Sequence, residues 1–302
     1  MNTQKININA ALVHRLIQSQ FPEWADLPIK PVEFSGWDNR TFHLGDCMTV
    51  RLPSAESYAS QVEKEQKWLP KLAPNLPLAI PRPLAMGKPS EDYPWSWSIY
   101  QWLDGRTVSL ETISDLSAFA LKLAEFLKAL QKIDSTGGPM AGPQNFYRGG
   151  SLKIYDSETR EAIKKLDPTM DSKRIMEIWN RALDSKWNKP PVWIHGDIAI
   201  GNLLVNNGEL SAVIDFGQLG VGDPACDLVI AWTLFKDQSR EVFKKAMALD
   251  EQTWERAMGW SLWKALIVYT ALPGSNCNPI EIEKAKRVIN ELLTDYSKLK
   301  QE

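Results

Sequence analysis

The sequence predicts an α+β chain of two lobes, an antiparallel-sheet lobe over residues 1–103 and a mainly helical lobe over 104–302. Three observations predict it. Up to residue 101, apolar residues fall in short runs separated by Gly, Pro and Asp turn signals. From residue 114 onward they recur at helical spacing. Inside the helical half, two short apolar runs flank Asn207-Gly208, a strong hairpin signal. A chain of 302 residues is long enough to bury a core in each lobe.

The elements follow in order. Leu12, Val13, Leu16 and Ile17 have helical spacing after Asn9, a suitable cap. PVEFSGWDNRTFHLGDCMTVRLP (31–53) reads as strands joined by turns at Gly36-Trp37-Asp38-Asn39 and Gly45-Asp46, with Met48 to Leu52 a strand carrying Arg51. In the helix at 57–73, Glu65 shares the inward face of Val62, Leu69 and Leu72. An acid there needs a cation, and Arg51 is the candidate; the alternative is that Glu65 reaches water at the edge of the stripe. The proline-rich stretch 73–90 cannot be a long helix. WSWSIYQWL (95–103) is a strand ending at Asp104-Gly105. Ser114 caps a helix with the apolar face Leu116, Phe119, Leu123, Phe126 and Leu130. Residues 150–188 read as a polar, peripheral helical insertion. The last helix starts at Asn278-Pro279.

The composition excludes several classes. A net charge of −2 makes no electrostatic case for nucleic acid or an anionic membrane as partner. Cys47, Cys226 and Cys277 have neither metal-site nor disulfide spacing, and MNTQKININA lacks the apolar core of a signal peptide, so a cytoplasmic location is expected. The most apolar stretch, 258–272, is interrupted by Lys264 and too short to span a bilayer.

WIHGDIAIGNLL (193–204) sets Asp197 and Asn202 among large apolar residues, where unpaired polar groups are costly. Either a structural network satisfies them or a ligand does. The hairpin that follows returns Asp215 toward Asn202. An amide and carboxylates are hard oxygen donors of the kind Mg²⁺ accepts together with water and phosphate. Asp197 is left as a base or orienter for a hydroxyl.

The order His195-Gly196-Asp197-x4-Asn202, twelve residues, then Asp215-Phe216-Gly217 resembles the protein-kinase-like superfamily. Gly196, where protein kinases have Arg, points to the aminoglycoside phosphotransferase and choline kinase branch. GVGDPACDLVIAW (220–232) is similar to the segment after the metal-binding Asp in aminoglycoside phosphotransferases. FSGWDNRTF, TVRLP, VEKEQKWL and YQWLDG stand in the family's order. The resemblance implies a protein-kinase-like fold and transfer of the γ-phosphate of ATP or GTP, with Mg²⁺, to a small-molecule hydroxyl. It implies Asp197 as the catalytic residue, Asn202 and Asp215 as metal ligands, and His195 and Asp227 as structural supports. Arg51 stands where the family usually has a phosphate-binding lysine, with Glu65 as its partner. Nucleotide contacts fall on Gln101, Leu103 and Tyr100 in the connector and on the loop from Ser35 to Asn39.

The favoured acceptor is a cationic aminoglycoside, with Asp223, Asp237 and Glu241 as candidate contacts. Macrolides, choline or other amino alcohols and sugars are alternatives. A nucleotide-binding scaffold without turnover is another, its support being the arginine at 51. A peptide kinase is disfavoured, because the chain runs from Gly217 almost directly into a helix. The protein is expected to be a monomer or homodimer.

Overall fold

The computed structural model describes residues 6–33, 36, 38–273, 275 and 277–299. Helix α1 (Ala10–Gln20) starts at Asn9, whose side chain accepts the Leu12 N–H at 3.0 Å. Its apolar stripe, Leu12, Val13, Leu16 and Ile17, packs on one face of a five-stranded sheet. The strands are β1 (Ile29–Pro31), β2 (Asn39–Leu44), β3 (Met48–Pro53), β4 (Pro83–Gly87) and β5 (Trp97–Gln101). Their order is β1-β2-β3-β5-β4, with every neighbouring pair antiparallel.

The pleat of this sheet positions the first part of the site. Successive side chains on a strand point to opposite faces. Val50 and Leu52 of β3, with Trp97 and Ile99 of β5, join the α1 core. Arg51, Ser98 and Tyr100 therefore face the other way, toward helix α2 (Glu56–Leu72), where each meets a polar group of that helix. Arg51 is the register partner of Ser98.

The rest is mainly helical: β6 (Arg106–Thr107), α3 (Leu116–Lys132), α4 (Asp156–Lys164), α5 (Ser172–Asp184), β7 (Val192–Ile194), β8 (Leu203–Asn206), β9 (Glu209–Val213), β10 (Gly220–Gly222), α6 (Ile230–Thr233), α7 (Asp237–Met247), α8 (Glu251–Tyr269) and α9 (Pro279–Leu299). β6, β8 and β9 form one small sheet, and β7 pairs with β10. A second, larger core surrounds α8, which is apolar on most sides and buried accordingly. None of the described helices is long and apolar enough to cross a membrane.

Two expectations need correction. Helix α3 is capped by Asp115, which accepts from Ser117 and Ala118, and not by Ser114. The Ser114 N–H is engaged by the hairpin turn through the Gly208 carbonyl at 3.0 Å. The segment 150–188 is not peripheral: Ile175, Ile178, Trp179 and Ala182 of α5 are buried in the main core. Its many charges lie on the opposite face of an amphipathic helix, so composition understated its burial.

Candidate active site

The polar cluster is built by the β8–β9 hairpin. Asn207 and Gly208 both have positive φ, 51° and 82°, as a tight two-residue hairpin turn requires. Leu203 pairs with Val213, and the Ile214 N–H donates to the Asn202 carbonyl at 2.9 Å. The chain leaving β9 therefore passes directly beside the loop that precedes β8. Asp215 follows in a left-handed conformation, φ 65°, uncommon for a residue with a side chain and a form of strain typical of functional turns. On the facing loop, Asn202 Nδ2 donates to the Asp197 carbonyl at 2.9 Å and to Asp197 Oδ2 at 3.2 Å.

Asp227 anchors this loop from beneath. Its two carboxylate oxygens accept the N–H groups of His195 and Gly196, each at 2.7 Å. Burial pushes the Asp227 carboxyl up, against the stabilising pull of the His195 and Gly196 N–H groups. His195 is fully buried. Its Nδ1 accepts the Asp197 N–H at 3.2 Å and its Nε2 lies 3.0 Å from the Ile214 carbonyl. One acceptor and one donor assign the neutral tautomer with the proton on Nε2. His195 thus ties the loop to the strand that leads into Asp215.

Gly196 has φ +86°, and a Cβ there would lie 2.4 Å from the Gln218 carbonyl oxygen. Both strain and a backbone clash oppose a side chain. Gly196→Ala is expected to cost at least about 2 kcal/mol of stability. Urea unfolding checks this; an unchanged midpoint and slope would contradict it.

Across the cleft, Arg51 Nη1 lies 3.3 Å from Glu65 Oε2, and Nη2 lies 3.2 Å from Asp215 Oδ1. The Tyr100 hydroxyl donates to Glu65, and the Arg51 guanidinium lies 5.5 Å from the Tyr100 ring centroid. Burial opposes the charge on Arg51, but Glu65 and Asp215 outweigh it and keep it firmly protonated. Lys64 Nζ donates to the Gly217 carbonyl at 2.5 Å, so α2 also grips the turn after Asp215. Burial brings the Lys64 ammonium down to about 8, with Glu65 and Asp215 resisting.

The structure brings Asp197, Asn202, Asp215, Arg51, Glu65 and Tyr100 to one cleft. Gln101 ends β5, its N–H on the Arg82 carbonyl, and Leu103 follows in the connector. Asn39 starts β2 and is buried; Ser35 lies outside the described residues. Among the described residues, Asp223, Asp237 and Glu241, the candidate acceptor contacts, make no hydrogen bond to Asp197, Asn202 or Asp215. Asp223 is buried in an ion pair with Arg256 at 2.6 Å and caps the turn at Ala225. Asp237 and Glu241 are exposed on α7, which packs on α3.

Lys264 and Arg148 also reach the cleft with little local signal of their role, and Asp38 of the Ser35 to Asn39 loop joins them. Asp38 Oδ2 accepts from Gln61 at 3.1 Å; burial pushes its carboxyl up, with Asp215 and Asp197 adding to the rise. Lys264 Nζ donates to Asp197 Oδ1 at 3.1 Å. Burial works to raise Asp197, but Lys264 and then Arg148 hold it below its usual value. The one available clue to Lys264 is that it is the sole charge in the apolar stretch 258–272.

The donor set fits a hard divalent cation. Asp197 holds the Nδ2 end of Asn202, which leaves Oδ1 as the end open to a metal. Asp215 supplies a carboxylate one residue past the strand partner of Asn202. Among the described residues, no cage of three or more His, Cys, Asp or Glu is present. A short protein donor set suits Mg²⁺, which keeps waters and takes phosphate oxygens.

A profile of the phosphotransferase enzyme family matches residues 28–260, most of the chain. The chain belongs to this family. Its architecture is that of the kinase-like phosphotransferases. The GDP complex of wild-type aminoglycoside 2'-phosphotransferase-IIIa superposes with a TM-score of 0.71, at 19% identity, over 96% of this chain and 100% of that one. The ADP-bound aminoglycoside phosphotransferase APH(2'')-Ib gives 0.59 at 17% identity, covering 95% and 99%. The macrolide 2'-phosphotransferase MphH from Brachybacterium faecium, as apoenzyme, gives 0.61 at 21%, covering 93% and 98%. No curated protein matches this phosphotransferase in sequence.

Proposed function

We propose that this phosphotransferase moves the γ-phosphate of ATP or GTP to the hydroxyl of a small molecule in a Mg²⁺-dependent reaction. The observation that carries the reading is the meeting of Asp197, Asn202 and Asp215 from the hairpin with Arg51 and Glu65 from the sheet lobe. Asn202 Oδ1 and the Asp215 carboxylate would hold Mg²⁺, whose charge offsets that of the phosphates when bound. Arg51, fixed by Glu65 and Tyr100, offers a planar fork of donors to phosphate. The connector at Gln101 and Leu103 and the loop ending at Asn39 would receive the base and phosphates.

Asp197 orients the acceptor hydroxyl and takes its proton. The acceptor oxygen bonds to the γ-phosphorus, the bond to the β-phosphate oxygen breaks, and the nucleoside diphosphate leaves. Positioning and charge supply most of the rate. The acceptor is a small-molecule alcohol. Of the acids offered to a polycationic aminoglycoside, Asp223 is already paired with Arg256, and Asp237 and Glu241 are exposed on α7.

The test is a coupled nucleotide-turnover screen with ATP and GTP against aminoglycosides, macrolides, amino alcohols, sugars and hydroxy acids. Turnover should require Mg²⁺ and stop when EDTA is added in excess. Turnover that persists in EDTA would reject the metal assignment. Mg²⁺-dependent nucleotide binding without turnover on any acceptor would favour a scaffold.

A further inference from the structure

Arg148 is a buried cation with most of its hydrogen-bonding capacity unspent. It follows Phe146 and Tyr147, both left-handed at φ 51° and 54°, a paired distortion uncommon for residues with side chains. Arg148 is 9% exposed. Its Nε donates to Gln218 Oε1 at 3.0 Å. The guanidinium lies 5.1 Å and 5.0 Å from the ring centroids of Trp260 and Trp263. Among the described residues, no carboxylate forms an ion pair with it, whereas the buried Arg240 and Arg256 and the partly buried Arg51 each have at least one.

The surroundings are closely packed and adjoin the Asp197 loop. Trp260, Trp263 and Lys264 stand at i, i+3 and i+4 on α8 and so share one face. Trp263 is fixed by its Nε1–H on Glu158 Oε2 at 2.7 Å and by the Tyr155 ring stacked at 3.9 Å. Gln218 is part of the turn that starts at Asp215. Lys264 reaches Asp197 Oδ1, and Asn202 takes Oδ2, so both oxygens of Asp197 are engaged by other groups. Lys264 and Arg148 thus both act on Asp197 from the helical lobe, while Arg51 and Lys64 reach the Asp215 turn from the sheet lobe. A buried guanidinium resting on indole faces, with one amide oxygen for a partner, is completed by an oxyanion, for which its fork is shaped.

We propose that Arg148, with Lys264 beside it, forms an anion-binding subsite for the acceptor, and that the acceptor is an alcohol carrying a carboxylate or phosphate group. The inference rests on the phosphotransferase reading of the same cleft and narrows its acceptor class. Lys264 is matched by Asp197, whereas Arg148 has no carboxylate partner among the described residues and so attracts the anionic group of a hydroxy acid or a sugar phosphate.

The experiment measures phosphoryl transfer from γ-labelled nucleotide by the full chain to gluconate and other hydroxy acids, to glucose 6-phosphate and other sugar phosphates, to the neutral parent sugars, and to kanamycin. Transfer is expected only to the two anionic sets, and which of them is used decides between carboxylate and phosphate. In Arg148→Gln the acceptor KM should rise about tenfold or more, the scale of a lost charge-assisted contact. Arg148→Lys should restore part of it, and the nucleotide KM should move by less than about twofold. Arg148→Lys also keeps the test open if the Gln variant does not fold. Transfer to neutral or cationic acceptors, an unchanged acceptor KM in Arg148→Gln, or a rise in nucleotide KM instead would overturn the subsite. Mg²⁺-dependent nucleotide binding with no transfer to any anionic acceptor would overturn it too, leaving the nucleotide site intact. Loss of nucleotide binding altogether would reject the underlying phosphotransfer reading.

Discussion

Asp197→Asn is expected to lower kcat by about 10²–10⁴ while leaving the fold in place. The two shapes are nearly identical, so Asn202 Nδ2 keeps its bond to the residue 197 carbonyl, and the 197 N–H keeps His195 Nδ1. Lys264 loses its carboxylate partner but is about half exposed, so water takes over that contact. What disappears is the group that orients and deprotonates the acceptor. The signature is a fall in kcat and kcat/KM together, with nucleotide affinity nearly unchanged. Steady-state kinetics beside an unfolding curve checks this; a wild-type kcat would remove Asp197 from the chemistry.

The second large effect falls on Asp215. Asp215→Ala removes the one carboxylate of the proposed metal pair and is expected to reduce Mg²⁺-dependent turnover to below about one-thousandth. Arg51 keeps its ion pair with Glu65, so the sheet lobe does not acquire an unpaired buried cation. The left-handed backbone at 215 also becomes harder to hold without the short polar side chain, a modest further cost to stability. Calorimetry with a non-hydrolysable nucleotide should show that added Mg²⁺ no longer tightens binding. Retained turnover would move the metal elsewhere.

The sequence carried some of this organisation because parts of it are local. A two-residue turn at Asn207-Gly208 starts the β8–β9 pairing, a one-residue shift between Leu204 and Val205 adjusts it, and the resulting register carries Asp215 back to Asn202. The Glu65–Arg51 pair was also legible, since an acid on an apolar helix stripe demands a nearby cation. Asp223 shows the limit. Its role as a cap on Ala225 is local and readable, but its partner Arg256 is 33 residues away and nothing at 223 announces it.

Arg148, Lys264 and the partner of Tyr100 are illegible for the same reason. Tyr100 reads as a strand aromatic until the pleat turns its hydroxyl onto Glu65. Arg148 reads as a loop cation until α8 delivers two indoles beneath it. Lys264 reads as a break in an apolar helix until that helix docks against the Asp197 loop. Long-range pairings depend on how elements pack, and periodicity within an element does not contain that information.

The central claim is that the hairpin and the sheet lobe close on one metal–nucleotide site. The most direct measurement is a crystal structure with Mg²⁺ and a non-hydrolysable ATP or GTP analogue. The account predicts the cation on Asn202 Oδ1 and the Asp215 carboxylate, a phosphate oxygen within hydrogen-bonding distance of Arg51, and Asp197 facing the γ-phosphate. A nucleotide bound away from Arg51, or a cation that touches neither Asn202 nor Asp215, would contradict it.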